Sequence, residues 1–179
     1  MRDVIYQQLD RIATWPIFAL LVVLFILCTV GFRWRSNVMR EIAGHDIELF
    51  DIRDSYTPDE ARDLLKTIGE RGRRIYASTQ LTLDLVFPFI YGGLFVITLY
   101  KLYGNPGYLL LVPLITVVAD LLENLMTSYL ALSYLRGLSS PVVQVASTFT
   151  AVKRSGLVIS FVLILAGIAI WVWHYRRDN

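Results

Sequence analysis

The chain has 179 residues, of which 55% are hydrophobic and 18% charged, and its formal net charge is +2. A mean hydropathy of +0.53 is too high for an ordinary soluble domain. The small net charge excludes a strongly basic nucleic-acid-binding surface, and the single cysteine excludes an intrachain disulfide. The composition therefore predicts an integral membrane protein with no nucleic-acid partner.

Four apolar segments approach or reach the roughly 20 residues that a helix needs to cross about 30 Å of hydrocarbon. Tryptophan and tyrosine residues flank them, as is typical of membrane interfaces. We expect an all-α, four-transmembrane-helix bundle that forms a single domain over residues 1–179, with spans at 16–34, 81–103, 108–135 and 141–175. Membrane lipids are then expected partners, and a homo-oligomer is compatible with the pattern.

The polar loop between the first two spans, residues 35–80, contains an amphipathic helix. Thr57 is placed to cap it, Pro58 occupies its first position, and Glu60 completes a T-x-x-E capping box. Apolar residues then recur at helical spacing at Ala61, Leu64, Leu65 and Ile68. This helix is expected to lie on the bilayer or to cap the bundle, and docking of a partner protein is the alternative.

The third span carries the polar sequence DLLENL in its middle. Asp120, Glu123 and Asn124 fall on one helical face because they are three and four residues apart, and Thr127 extends the same stripe. A charged residue at the centre of a bilayer costs roughly 2.5–3.5 kcal/mol on insertion scales. We therefore expect this face to point into the bundle, where its carboxylates find partners or are protonated.

The short connection between the third and fourth spans predicts those partners. If two helices fold back on each other with equal rise per residue, Lys153 lies level with Asn124 and Arg154 lies level with Glu123. The same rule places Thr150 beside Thr127. We expect Glu123 to pair with Lys153 or Arg154, and Asp120 to lie a turn away from both cations as the protonated carboxyl.

The second span adds a third set of polar groups at this height. Asp84, Pro88 and Tyr91 share one face, and Pro88 cannot donate a hydrogen bond to the carbonyl of Asp84. In hydrocarbon that carbonyl must be satisfied by another protein group or by water. A polar pocket between kinked helices is the structure that these features predict.

Three functions fit such a pocket. The first is binding of a small polar ligand or lipid headgroup, the second is intramembrane acid–base catalysis on a lipid or amphipathic substrate, and the third is a membrane-anchored scaffold in which the charges only lock the helices together. Candidate catalytic residues are Asp84, Asp120 and Glu123. Candidate ligand-binding residues are Asp84, Tyr91, Asp120, Glu123, Asn124, Thr127, Thr150, Lys153 and Arg154. No cofactor or metal site is expected.

The distribution of basic residues predicts the orientation. The first and third loops, with the adjoining ends of their spans, hold twelve of the 17 Lys and Arg residues. Since Lys and Arg concentrate on the cytoplasmic side, we expect these loops to be cytoplasmic in a multi-pass protein of the plasma or inner membrane. Single cysteines at positions 45 to 55 should resist an impermeant thiol reagent added to intact cells, and labelling from outside would show the opposite orientation.

Overall fold

A computed structural model of the chain describes residues 2–177 as an all-helical bundle. Four stretches are long and apolar enough to cross a membrane, which confirms the predicted fold class. The helices are α1 (Arg2–Ile12), α2 (Trp15–Ala43), α3 (Pro58–Thr67), α4 (Gly69–Gln80), α5 (Leu83–Tyr103), α6 (Leu111–Ser133) and α7 (Ser140–Arg177). Short 3-10 turns lie at Phe50–Ile52, Gly107–Leu110 and Tyr134–Arg136. The ends of the predicted domain, residue 1 and residues 178–179, lie outside the described part of the chain.

Helix α5 occupies the centre of the transmembrane part. It packs against α2, α6 and α7, while α6 and α7 form the most extensive helix pair. Gly92 allows α5 to approach α6 closely, because a Cβ atom there would collide with the side chain of Val117. Many large apolar side chains on α2 and α7 point outward, as expected for helices in contact with lipid.

The amphipathic helix of the first loop, α3, caps the bundle. The predicted capping box between Thr57 and Glu60 is present, with Pro58 in the first turn. The apolar face of α3 joins a buried cluster that includes Phe50 of the loop and Val143 of α7. Burial of this face against α7 explains why α3 covers the end of the bundle.

The segment between the first two predicted spans, residues 35–80, is largely helical. Helix α2 continues to Ala43, well beyond the predicted end of the first span at residue 34, and it ends where Gly44 adopts a left-handed conformation with φ of 75°. The stretch 35–43 contains buried Arg35 and Met39, whose contacts with the bundle stabilise the extra turns. Helix α4 belongs to the bundle as well, since it packs along α6. The segment expected as a polar loop therefore contributes the last turns of α2 and the whole of α4 to the bundle.

Candidate functional site

A cavity of about 320 Å³ lies among α2, α5, α6 and α7. Its polar end is lined by charged and hydroxyl side chains: Arg35, Ser36, Asp51, Asp84, Tyr91, Asp120 and Lys153. Its other end is lined by aromatic and aliphatic side chains: Phe25, Phe32, Phe87, Phe95, Leu157 and Phe161. Ile52, which follows Asp51 in the first loop, also lines the cavity. The cavity is thus amphipathic, with its charges gathered where the first loop meets the helices.

Lys153 of α7 is the cation that joins the carboxylates of α6. Its ammonium forms an ion pair with Glu123, and it lies 3.4 Å from Oδ1 of Asp120. The Thr150 hydroxyl, one helical turn away, donates to Oε1 of Glu123 at 2.9 Å. The predicted pairing of Glu123 with a cation of α7 is therefore present, with Lys153 as the partner, and it joins α6 to α7 at this height.

Arg154, the alternative partner in that prediction, does not pair with Glu123. Its side chain is half exposed and pairs with Asp54 of the first loop at 2.8 Å. Helix α7 turns by 100° at each residue, so two consecutive residues cannot both face α6. Arg154 therefore lies outside the polar core and fastens the loop to the bundle.

The position expected for Asp120, away from any cation, was also wrong. Asp120 accepts a hydrogen bond from the Tyr91 hydroxyl at 2.8 Å and lies beside Lys153. The expectation was based on the heights of Cα atoms along the two helices. The four-carbon stem of a lysine carries its ammonium about one turn from its own Cα, so Lys153 reaches Asp120. Asp120 is consequently a paired member of the cluster.

Arg35 and Asp51 form a second ion pair that the sequence analysis did not assign to the site. Nη2 of Arg35 lies 2.5 Å from Oδ2 of Asp51, and Nη1 lies 3.9 Å from Oδ2 of Asp84. Burial alone would raise the pKa of Asp51, but the Arg35 guanidinium and the Lys153 ammonium hold that pKa below its ordinary value. The loop residue is therefore an ionised partner for cations from two helices.

These two residues differ in how well the sequence could have revealed them. Arg35 lies seven residues after Cys28 and four before Met39, and all three are buried on one face of α2. That spacing indicates an inward-facing arginine once α2 is known to continue past residue 34. Asp51 stands in an irregular segment, and no sequence pattern identifies it.

The carbonyl that Pro88 leaves without a helical donor has a side-chain partner. Nδ2 of Asn124 donates to the backbone oxygen of Asp84 at 2.7 Å. Both residues are buried, so the amide replaces the hydrogen bond that the proline removes. This bond joins α5 to α6 directly beneath the Asp84 carboxylate.

The predicted site residues fall into three groups. Asp84, Tyr91, Asp120 and Lys153 line the cavity. Glu123, Asn124, Thr127 and Thr150 are completely buried beside it, where they form hydrogen bonds between helices. Arg154 lies outside. The residues that line the cavity and the residues that join the helices are therefore adjacent layers of one polar cluster. Lys153 belongs to both layers.

No protein-family model, curated protein or solved structure matches this chain. The four apolar helices and the buried ion pairs describe a multi-pass membrane protein.

The substitute hydrogen bond at the proline can be tested by a double-mutant cycle. Asn124→Ala should destabilise the protein by about 1–3 kcal/mol, because the buried Asp84 carbonyl loses its donor. Pro88→Ala restores a backbone N–H to that carbonyl, so Asn124→Ala should cost less in the Pro88→Ala background. Thermal unfolding in detergent measures both values, and equal costs in the two backgrounds would contradict the assignment.

The Arg35–Asp51 pair predicts a specific dependence on pH. Because folding lowers the pKa of Asp51, its contribution to stability is complete above the ordinary carboxyl value of about 3.9 and disappears as the pH falls through the lowered value. Asp51→Asn should therefore be clearly less stable than the parent at pH 6, and this difference should shrink below about pH 4.

A matched control for this measurement is Asp63→Asn, which changes an exposed carboxylate on α3. It should alter stability little at either pH. A difference between parent and Asp51→Asn that stays constant from pH 6 to the acid limit of folding would contradict an ionised Asp51.

Proposed function

We propose that the protein binds an amphipathic small molecule, whose polar group lies among the charged residues of the cavity and whose apolar part lies against its aromatic wall. The observation that carries this proposal is the pairing of both surfaces in one cavity. A volume of about 320 Å³ lies within the range of small-molecule sites, roughly 300–1,000 Å³. Lipid headgroups and small polar ligands with an apolar substituent both have this chemistry.

The charges around the cavity favour a polar group that is cationic or rich in hydrogen-bond donors. Four carboxylates, those of Asp51, Asp84, Asp120 and Glu123, face the two cations Arg35 and Lys153. The surplus negative charge must be neutralised by bound protons or by a ligand, because isolated charge is costly in hydrocarbon.

Asp84 is the residue best placed to receive such a group. Within the described residues its carboxylate makes no hydrogen bond, and its nearest cation is the Arg35 guanidinium at 3.9 Å. Asp120 offers Oδ1, which has an ion-pair contact at 3.4 Å but no hydrogen-bond donor. An ammonium between these two carboxylates would also face the rings of Phe87 and Tyr91, which favour cations.

Acid–base catalysis on a lipid or amphipathic substrate is the second candidate, favoured by one feature. The Tyr91 hydroxyl, the Asp120 carboxylate and the Lys153 ammonium form a connected chain on the cavity wall. Such a chain can hold or transfer a proton at a bound substrate. Release of a chemically altered molecule would distinguish this function from binding alone. A purely structural role is the third candidate, and it predicts no ligand.

The proposed setting is the plasma or inner membrane, with the first and third loops in the cytoplasm. Clustering of Lys and Arg on that side supports this orientation. The cavity then has its polar end towards the cytoplasm and its aromatic end towards the middle of the bilayer.

Ligand-dependent stabilisation tests the proposal. A single-chain alkylamine should raise the unfolding temperature of the purified protein in detergent, because a ligand that binds only the folded state stabilises it by about 2.7 kcal/mol at one hundred times its Kd. The fatty acid of equal chain length should have a much smaller effect. Asp84→Asn should lose the response to the amine, whereas the surface variant Asp63→Asn should keep it.

Equal stabilisation by amine and fatty acid would show that the charge argument is wrong. No stabilisation by either compound, together with no small molecule in mass spectra of the purified protein, would favour the structural role.

A further inference from the structure

The end of the cavity nearest the aqueous phase is covered by the first loop. Residues 49–56 cross this end, and Leu49, Phe50 and Tyr56 are buried in the apolar cluster beneath α3. The carboxylate of Asp51 reaches from this segment into the cavity wall. The loop therefore forms a cover over the polar end, anchored by side chains that would be costly to expose.

Polar contacts fasten the same segment to α7. The backbone N–H of Tyr56 donates to Oγ of Ser147 at 2.8 Å, and Lys153 donates to the backbone oxygen of Asp51 at 3.4 Å. Arg154 pairs with Asp54 at 2.8 Å. A solute from the water would have to displace these contacts before reaching Asp84.

The side of the cavity that faces the bilayer is built differently. Helices α2 and α7 both form walls, and both pack extensively against α5, but α2 and α7 do not pack extensively against each other. Phe25 of α2 and Phe161 of α7 line the cavity and are nevertheless 37% and 58% exposed. Their neighbours in the chain, Ile26 and Val162, are exposed apolar side chains, which suit contact with hydrocarbon. The apolar end thus opens sideways, between α2 and α7.

From this contrast we propose that the cavity takes its ligand from the bilayer through the opening between α2 and α7, and that the ligand is a membrane-dissolved amphiphile. This inference rests on the proposed binding function and adds the source of the ligand and its path. The apolar part remains in hydrocarbon along the path and meets Phe161 and Leu157 first. The polar group reaches Asp84 last, beneath the loop.

Photochemical labelling in vesicles can follow this path. The full chain is reconstituted in phosphatidylcholine vesicles that contain a long-chain alkylamine with a diazirine beside its amine. Label on Tyr91, which is buried inside the bundle, reports that the probe has entered. We expect label on Tyr91 in the parent protein.

Two changes then separate the routes. Leu157→Trp fills the opening from α7, and Phe25→Trp narrows it from α2. Both should abolish the label on Tyr91, whereas Val158→Trp, an exposed position beside Leu157, should leave it unchanged.

Cysteines at positions 54 and 154, joined by a short bismaleimide in a Cys28→Ser background, fix the loop over the bundle. This cross-link should not reduce the label relative to the same protein capped with a monomaleimide.

The outcomes are distinct. Label that survives both tryptophan variants and disappears on cross-linking would overturn entry from the bilayer while leaving the binding function intact. A parent protein that folds normally but carries no label on Tyr91 would contradict binding of this ligand class, and the entry route with it. Unfolding temperatures of the tryptophan variants equal to that of Val158→Trp show that loss of label is not loss of fold.

Discussion

The buried ammonium of Lys153 is the contact on which the rest of the structure depends. It pairs with Glu123, lies beside Asp120 and donates to the backbone of Asp51, so α7, α6 and the first loop meet at one charge. Removing one partner from a buried pair typically costs about 3–5 kcal/mol, since the other charge is left without compensation. Apolar helix faces in a membrane gain no hydrophobic free energy when they move from lipid into the bundle. Buried polar contacts therefore determine which helix faces turn inward.

The polar cluster has two layers with different consequences. The layer of Glu123, Asn124, Thr127 and Thr150 is completely buried and joins helices by hydrogen bonds. The layer of Asp84, Asp120 and Arg35 borders empty space, and several of its polar atoms have no hydrogen-bond partner among the described residues. Unsatisfied buried polar atoms are rare in proteins. Two such atoms on Arg35 and one on Asp120 belong to residues that line the cavity, and we place ligand binding in this layer and stability in the completely buried layer beside it.

The first loop completes the site as well as covering it. Asp51 supplies the carboxylate that pairs with Arg35, so movement of the loop would remove both a wall and a counter-ion. The loop is fixed by the burial of Phe50 and Tyr56 and by its contacts with α7. A cover anchored so firmly, beside an opening towards lipid, is the arrangement expected of a site that exchanges its ligand with the bilayer.

The sequence by itself determined the four spans, the capping box of α3, the inward face of α6 and the pairing of Glu123 with a cation of α7, because each follows from hydrophobic length or helical periodicity within one or two adjacent segments. Tertiary structure alone decided that Asp51 enters the site, that Arg154 leaves it for Asp54, and that Asn124 satisfies the Asp84 carbonyl. These contacts join residues far apart in the chain or depend on where a long side chain ends. Helical periodicity specifies the direction of a Cβ atom, whereas the partner of a buried charge is selected by packing of the whole bundle.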